Sequence, residues 1–277
     1  MLEIPEAINI SRQVKDNVYG KTIVNVIANH SPHKFAWYHG DPENYGDLLK
    51  GKVVGNIESF GGIVEIRVED AIILLGDGVN IRYQNKGERR PKKHQLLIEF
   101  DDSSSMTGSV QMYGGLWCFK EGEFDNKYYD IAKEKPSPLS EEFDMEYFHN
   151  LISLDDVQRL SAKGFLATEQ RIPGLGNGVL QDILYNAKIH PKRKIKTLSK
   201  TEKENIFLSI KDTLKEMVEK GGRDTEKDLY NKYGGYKTKV SRKTVNNPCP
   251  RCGSIIKKAT YQGGSIYYCE ECQKLVK

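Results

Sequence analysis

The sequence predicts an α+β, multidomain fold: an N-terminal β-sandwich or barrel with one flanking helix, then a helical domain, then a small C-terminal β-hairpin. Three observations lead there. Short apolar runs punctuated by turn residues fill the first half, which is the pattern of a sandwich or barrel. After about residue 140 the apolar period changes to that of amphipathic helices. Four of the five cysteines then cluster at the C-terminus in two Cys-x-x-Cys pairs.

Taken in order, Pro5 to Val18 reads as a helix packed on the sheet. Ile63 to Val68 alternates in and out as a half-buried strand does, and Ala71 to Leu75 is apolar throughout. Gln95 to Phe100 is a further strand. Turn signals stand at Glu69-Asp70, Gly76-Asp77-Gly78 and Asp101-Asp102-Ser103. Cys118, inside the apolar run Gly115 to Phe119, is expected to be a buried, inert thiol. Pro136 to Ser140 reads as a linker, followed by helices at Met145 to Leu151, Leu154 to Leu160, Val179 to Ala187 and Lys200 to Val218. Ser199 and Glu202 form a capping-box pattern for the last helix, and Gly221-Gly222 ends it. The domains are therefore expected at 1–135 (β-rich), 136–240 (helical) and 241–277 (cysteine-bearing).

Composition narrows the class of protein. No apolar run of the 277 residues is long enough to span a bilayer, and the start lacks the pattern of a secretory signal. The expectation is a soluble, cytoplasmic protein that meets no membrane. Charge is uneven: residues 1–143 carry 17 Lys/Arg against 22 Asp/Glu, and residues 144–277 carry 25 against 16. A basic half beside an acidic one fits a polyanionic partner, although lysine-rich surfaces are often merely solvated.

The cysteine spacing is the most specific local signal. Cys249-Pro250-Arg251-Cys252, 16 intervening residues and Cys269-Glu270-Glu271-Cys272 match a tetrahedral Zn²⁺ site with four protein ligands. With no position left open for water, one structural ion is expected. Two disulfides are the other reading, which an intracellular setting disfavours. Between the knuckles, Ile255 to Tyr268 reads as a hairpin turning at Gln262-Gly263-Gly264. Lysines and arginines interleaved with tyrosines approach it, among them Lys237, Lys257 and Lys258. That mixture suits phosphate contact, while tyrosines in a small hairpin also form its core.

A second signal is Pro173-Gly174-Leu175-Gly176-Asn177-Gly178, opening a helix and followed by Ile189-His190-Pro191. Free backbone N–H groups and the positive end of a helix dipole make such a turn a phosphate site. Asn177 alone reads as a helix cap or as a phosphate ligand. With this block, the start Met1-Leu2-Glu3-Ile4-Pro5-Glu6, Gly221-Gly222, Gly235-Tyr236 and the four cysteines in order, the chain resembles the formamidopyrimidine-DNA glycosylase/endonuclease VIII family.

The resemblance implies a monomeric clamp on double-stranded DNA, damaged or abasic. It implies a catalytic-type β-domain, a helix–two-turn–helix domain and a zinc finger. Lys163, Asn177 and Tyr236 fall at its phosphate-contacting positions. The family's nucleophile is an N-terminal proline amine, and here that position is Leu2. Its strand lysine falls at Gly61-Gly62, and its hairpin arginine at Gly264. Glu3 and Glu6 persist, so Met1, Leu2, Glu3 and Glu6 are the candidate catalytic residues. Asp77 reads as a turn residue or as a replacement acid, and Met112 or Tyr113 as a wedge or as strand. The resemblance thus leads to a DNA repair protein with glycosylase/AP lyase activity through an altered nucleophile. The alternative is an inactive lesion binder of the same fold. A third reading, a zinc protein that binds RNA or protein, is set against the β-domain and the glycine–asparagine block.

Overall fold

The computed structural model describes residues 2–276. It divides into two compact units: Met1–Asp130 with Glu226–Gly234, and Ile131–Thr225 with Gly235–Lys277.

The first unit is one helix on a highly curved sheet. Helix α1 (Ile4–Val18) starts with Pro5, which is pre-organised for the first turn, and buries Ala7, Ile10, Val14 and Val18. The strands are β1 (Ile23–Ala28), β2 (Ala36–Trp37), then, after a short helix α2 (Tyr45–Leu49), β3 (Val54–Phe60), β4 (Ile63–Val68), β5 (Ala71–Gln84), β6 (Leu96–Phe100) and β7 (Ser105–Lys120). They lie in the order β1-β6-β7-β5-β4-β3, with β2 added alongside β7. The two ends of that path meet through a bridge between Thr22 and Val53. Ile23 donates its N–H to Lys52 at 2.9 Å, and Val54 donates to Lys21 at 2.9 Å. The expected sandwich or barrel is therefore a sheet sealed at one end, which removes an edge that would otherwise stay unpaired.

The apolar run from Ala71 has a physical reason. Ile73 and Leu75 face the main core with Val14, Ile66, Ile98 and Leu116. Ile72 and Leu74 face a second cluster with Phe119 and Tyr129, so β5 is buried on both faces. Cys118 lies in the main core, where burial raises its thiol well above the usual range. The segment Glu226–Gly234 belongs to this unit. Leu229 is fully buried in its core, the Leu229 carbonyl accepts from Tyr83 N–H at 3.1 Å, and Asp228 accepts from Gln13 at 3.0 Å.

Helix α3 (Lys127–Glu134) contains the point of division. The second unit then has α4 (Met145–Ser153), α5 (Ala162–Ala167), α6 (Val179–Asn186), α7 (Lys200–Glu219) and a hairpin of β8 (Lys257–Tyr261) and β9 (Gly264–Tyr268). Phe143, Phe148, Phe165 and Phe207 pack its core. The capping box forms as expected: Glu202 N–H donates to Ser199 Oγ at 3.2 Å, and Ser199 N–H donates to the Glu202 carboxylate at 2.8 Å.

Three local expectations change. The predicted helix from Leu154 to Leu160 is only a 3-10 turn, Val157–Arg159, and the true helix is α5, capped by Ser161. Gly76-Asp77-Gly78 is no chain reversal; β5 runs through it, with a register shift against β7 between Asp77 and Val79. A β-bulge uses the same residues as a turn, so composition alone does not separate them. Asn177 is not the cap of α6: Gly178 holds that position, without a side-chain cap bond. The hairpin turn is confirmed, with Gln262 and Gly263 both at positive φ (46° and 71°), as a two-residue turn between twisted strands requires.

Candidate metal centre and nucleic-acid interface

The cysteine hairpin builds a candidate metal centre. Cys249, Cys252, Cys269 and Cys272 bring their sulfurs within 4.8 Å of one another. The sulfurs of Cys249 and Cys272 are 3.8 Å apart, and those of Cys252 and Cys269 are 3.4 Å apart. Four thiolates around Zn²⁺ at about 2.3 Å place neighbouring sulfurs roughly 3.8 Å apart, so the donor set fits a tetrahedral ion. The first knuckle turns back through Gly253 (φ 79°), whose N–H donates to Cys249 at 2.9 Å. Helix α6 supports it from behind: the Tyr185 hydroxyl lies 3.2 Å from Cys249 Sγ, and Arg251 stacks on the Tyr185 ring at 4.5 Å while donating to its carbonyl at 3.1 Å. Gln273, fully buried, donates to Ile189 at 2.9 Å and accepts from Cys269 N–H at 3.1 Å. These partners fix the four cysteines from outside the cluster, as outer-shell groups would around a bound ion.

The far end of the hairpin rests on α5 and α6. Lys163 is only 5% exposed and donates to the carbonyl of Tyr261 at 2.5 Å. Burial lowers its ammonium below the usual lysine range. Asn177 donates to the Ser265 carbonyl at 3.0 Å, and Gln181 donates to the same oxygen at 3.2 Å while accepting from Tyr267 N–H at 3.0 Å. The Ser161 hydroxyl meets Gln262 at 3.2 Å. A methyl group at Gly264 would stand 3.2 Å from Lys163 Nζ and 3.6 Å from the Asn177 amide. Lys163, Asn177 and Gly264, distant in sequence, therefore converge on one point.

Other candidates are placed differently. Tyr236 is interior, at 1% exposure, with Lys220 and Lys239 over its ring. Burial, then the charge of Asp182, pushes its phenol far above the usual range. Its N–H donates to Gly222 at 3.0 Å and its carbonyl accepts from Asp224 at 2.9 Å. Lys237 is exposed. Lys257 is exposed and paired with Glu270. Sequence reading missed Asp182, a buried carboxylate on α6 that accepts N–H bonds from Lys239 (2.9 Å) and Val240 (2.8 Å). Nothing in its local pattern marks it, because its partners lie more than fifty residues away.

The chain start is a separate cluster in the first unit. Met1 lies outside the described residues. Leu2 is buried and its N–H donates to the Asp77 carbonyl at 2.9 Å. Glu3 (3% exposed) caps the start of α1 and Glu6 (5% exposed) sits in its first turn. Gly61 and Gly62 form the turn between β3 and β4. Asp77 sits at φ 57°, strained for a residue with a side chain. The bulge is set by Gly78, where a methyl would come within 2.2 Å of the Tyr113 carbonyl. Asp77 is exposed, yet surrounding protein raises its carboxyl above the usual range by desolvation alone. Tyr113 is raised by burial, then by the charges of Asp77 and Glu3, and its ring stacks on Trp37 at 5.7 Å. Tyr113 is thus in strand β7, as is Met112, which is 70% exposed.

Comparison with known proteins decides the family. Residues 135–228 match the model of the formamidopyrimidine-DNA glycosylase H2TH domain. A formamidopyrimidine-DNA glycosylase of Wolbachia pipientis wMel is 30% identical over 283 residues, covering 99% of this chain and 100% of the relative. The chain belongs to the formamidopyrimidine-DNA glycosylase family. Another family relative, from Bacillus anthracis, is 28% identical over 99% of both chains. The fold matches that of Lactococcus lactis Fpg in a complex with DNA containing an abasic site (TM-score 0.83, 22% identity, 98% of this chain and 99% of that one). It also matches MutM (Fpg) from Thermus thermophilus (TM-score 0.81, 20% identity, 99% and 100%). Among the described residues, no helix is long and apolar enough to cross a membrane.

Proposed function

We propose that this protein grips double-stranded DNA at a damaged base or an abasic site and acts in base excision repair, releasing the base without the proline amine its family uses. The observation that carries the DNA reading is the meeting of Lys163 Nζ and the Asn177 amide at Gly264 on the cysteine hairpin. A cation and an amide on a rigid support suit one phosphodiester, and phosphate contacts set the register of a protein on a duplex. The exposed Lys237 and Lys257 extend that charge. Tyr236 acts from the interior, holding the loop that presents Lys237. Family relatives named as formamidopyrimidine-DNA glycosylases, and a structural neighbour solved on abasic DNA, support the same reading.

One Zn²⁺ held by Cys249, Cys252, Cys269 and Cys272 supplies no reacting group, since the four thiolates fill its coordination. These residues tie the hairpin to α6 so that Lys163 and Asn177 keep their places. The work divides over a β-rich domain at 1–135 that carries the chemistry, a helical DNA-binding domain at 136–240 and a zinc finger at 241–277. The protein works as a monomer inside the cell, at the nucleoid if the cell is bacterial.

For the chemistry, Glu3 is the acid, and the nucleophile is the α-amine at Met1 or Leu2, or a water activated by Glu3 or Glu6. Asp77 fixes the Leu2 nitrogen through its carbonyl. A second reading, binding without chemistry, is favoured by the same departures: Leu2, Gly62 and Gly264 stand where the family's proline, lysine and arginine are expected. Incubating the zinc-loaded protein with duplexes carrying oxidised purines or an abasic site, with borohydride present, separates the two. Free base or a trapped adduct supports catalysis, and tight binding with neither supports the binder.

A further inference from the structure

We propose that Asp77 is the base that activates water at the chain-start site, with Glu3 as the acid, so that the protein releases a damaged base by hydrolysis and leaves the strand uncut. This rests on the catalytic reading above and deepens it by naming the nucleophile and the group that takes its proton.

Residue 77 stands beside the position that the resemblance gives to the nucleophile: the Leu2 N–H donates to its carbonyl at 2.9 Å. That nitrogen is a peptide amide, whose delocalised lone pair does not attack carbon. The bulge beside it is nearly bare. Strands β5 and β7 pair Gly76 with Gly115 and Asp77 with Gly114, and Gly78 follows, so Asp77 carries the only side chain of this group. Packing dictates three of these glycines. A methyl group would stand 2.2 Å from the Tyr113 carbonyl at Gly78, 2.7 Å from Val79 at Gly114 and 1.9 Å from the Trp117 ring at Gly115. Among the described contacts, no donor or cation meets the Asp77 carboxylate, and a glycine there would relieve its φ of 57°. A strained residue that the surrounding contacts do not call for points to function.

The Asp77 carboxylate is exposed, so a substrate can reach it, while neighbouring protein removes enough water to raise it above the usual aspartate range. A carboxylate so placed accepts a proton more readily than a solvated one. The Tyr113 phenol is raised by burial, then by the charges of Asp77 and Glu3, so the two acids share one neighbour. Two carboxyl groups about one reacting carbon hydrolyse glycosidic bonds without any amine. In the step itself, water oxygen bonds to the anomeric carbon of the sugar as the bond from that carbon to the base nitrogen breaks. Asp77 takes the proton that the water loses, and protonated Glu3 gives one to the departing base. Free base and an abasic sugar result, and solvent returns the proton from Asp77 to Glu3. No Schiff base forms, so no β-elimination follows.

The test uses the full-length, zinc-loaded protein with one duplex carrying oxoguanine and another carrying a formamidopyrimidine. Released base is measured by mass spectrometry, and strand scission on gels run before and after hot alkali. The expected result is base release, a strand that breaks only after alkali, and no adduct with borohydride. Asp77→Asn keeps the side chain's size and tolerates the positive φ. It is expected to slow release about a hundredfold or more and to remove the acid limb of the pH–rate profile, whose wild-type midpoint lies above the usual aspartate range. In Asp77→Gly, added formate is expected to restore release in proportion to its concentration, by taking the proton from the vacated space. A side chain that only shaped the bulge would give neither the lost limb nor the rescue. A borohydride adduct, scission that keeps pace with release, or Asp77→Asn as fast as wild type overturns this inference and leaves the catalytic reading standing. No release from either duplex by the wild-type protein overturns the catalytic reading, and this inference with it.

Discussion

The cysteine hairpin with α5 and α6 and the chain start on the bulged sheet teach opposite lessons about how a fold keeps a site. At the first, every group is tied to another: Lys163, Asn177 and Gln181 to the hairpin, Tyr185 and Gln273 to the metal ligands, Asp182 to the backbone of Lys239 and Val240. At the second, the residues are buried in the same way, but their types differ from those the resemblance expects. Helix α1 still buries Glu3 and Glu6, but Leu2 and Gly62 stand where the resemblance expects proline and lysine, and a strained Asp77 appears beside them. Polar ties between distant segments thus fix the hairpin end, while the chain start keeps its buried setting and departs from the resemblance in its side chains.

The largest test of this contrast is metal removal. Structural zinc contributes on the order of 10 kcal/mol to small domains of this kind. Chelation or Cys269→Ser is expected to abolish duplex binding and melt the hairpin while leaving the β-rich unit folded. Hydrogen exchange resolved by segment checks it, and a hairpin still protected without metal would break the contrast. Next in size is Asp182→Ala. It leaves two backbone N–H groups without their acceptor and should cost about 2–5 kcal/mol in urea unfolding. A loss below about 1 kcal/mol would mean that the loop carrying Lys237 is held otherwise.

Smaller is the pH response of His190, whose ring packs on Tyr268 at 4.5 Å. Burial, with Lys192 nearby, brings its imidazole down to about 4. Between the ordinary histidine range near 6.5 and pH 4, the unfolded chain takes up a proton that the folded one refuses. Stability from this group is complete above about 6.5 and is lost as pH falls through that window. From about pH 7 to 5 the loss should be about 1–2 kcal/mol, and His190→Phe should show a correspondingly flatter acid limb. Equal limbs would remove histidine from the account. Smallest is Asp77→Gly, which relieves the positive φ and is expected to stabilise the protein by about 1 kcal/mol. If Asp77 serves the chemistry, the same variant slows base release. A variant both more stable and fully active would leave the acid with no role there.

How much of this was legible in the sequence follows the same division. The cysteine cluster, the hairpin turn, the capping box and α1 depend on residues close in the chain, and their patterns brought them together as the structure does. What failed depends on distant partners. Gly76-Asp77-Gly78 has the composition of a turn, and only the carbonyl of Tyr113 across the sheet makes it a bulge. Leu154 to Leu160 has a helical period but forms only a 3-10 turn, and the helix begins after it, where Ser161 supplies a cap. The resemblance puts Tyr236 at a phosphate-contacting position in a basic segment, yet it is buried, with Asp182 beside it and the two lysines over its ring. The convergence of Lys163, Asn177 and Gly264 spans about a hundred residues, beyond any local pattern.

The most direct measurement is equilibrium binding of the full-length, zinc-loaded protein to two otherwise identical duplexes, one intact and one with a central abasic analogue, at about 50 mM salt and upward. Saturable binding that favours the abasic duplex and falls log-linearly with salt is the predicted result, as release of counterions from contacted phosphates requires. Anisotropy that stays flat for both duplexes at the lowest salt would contradict the account at its root.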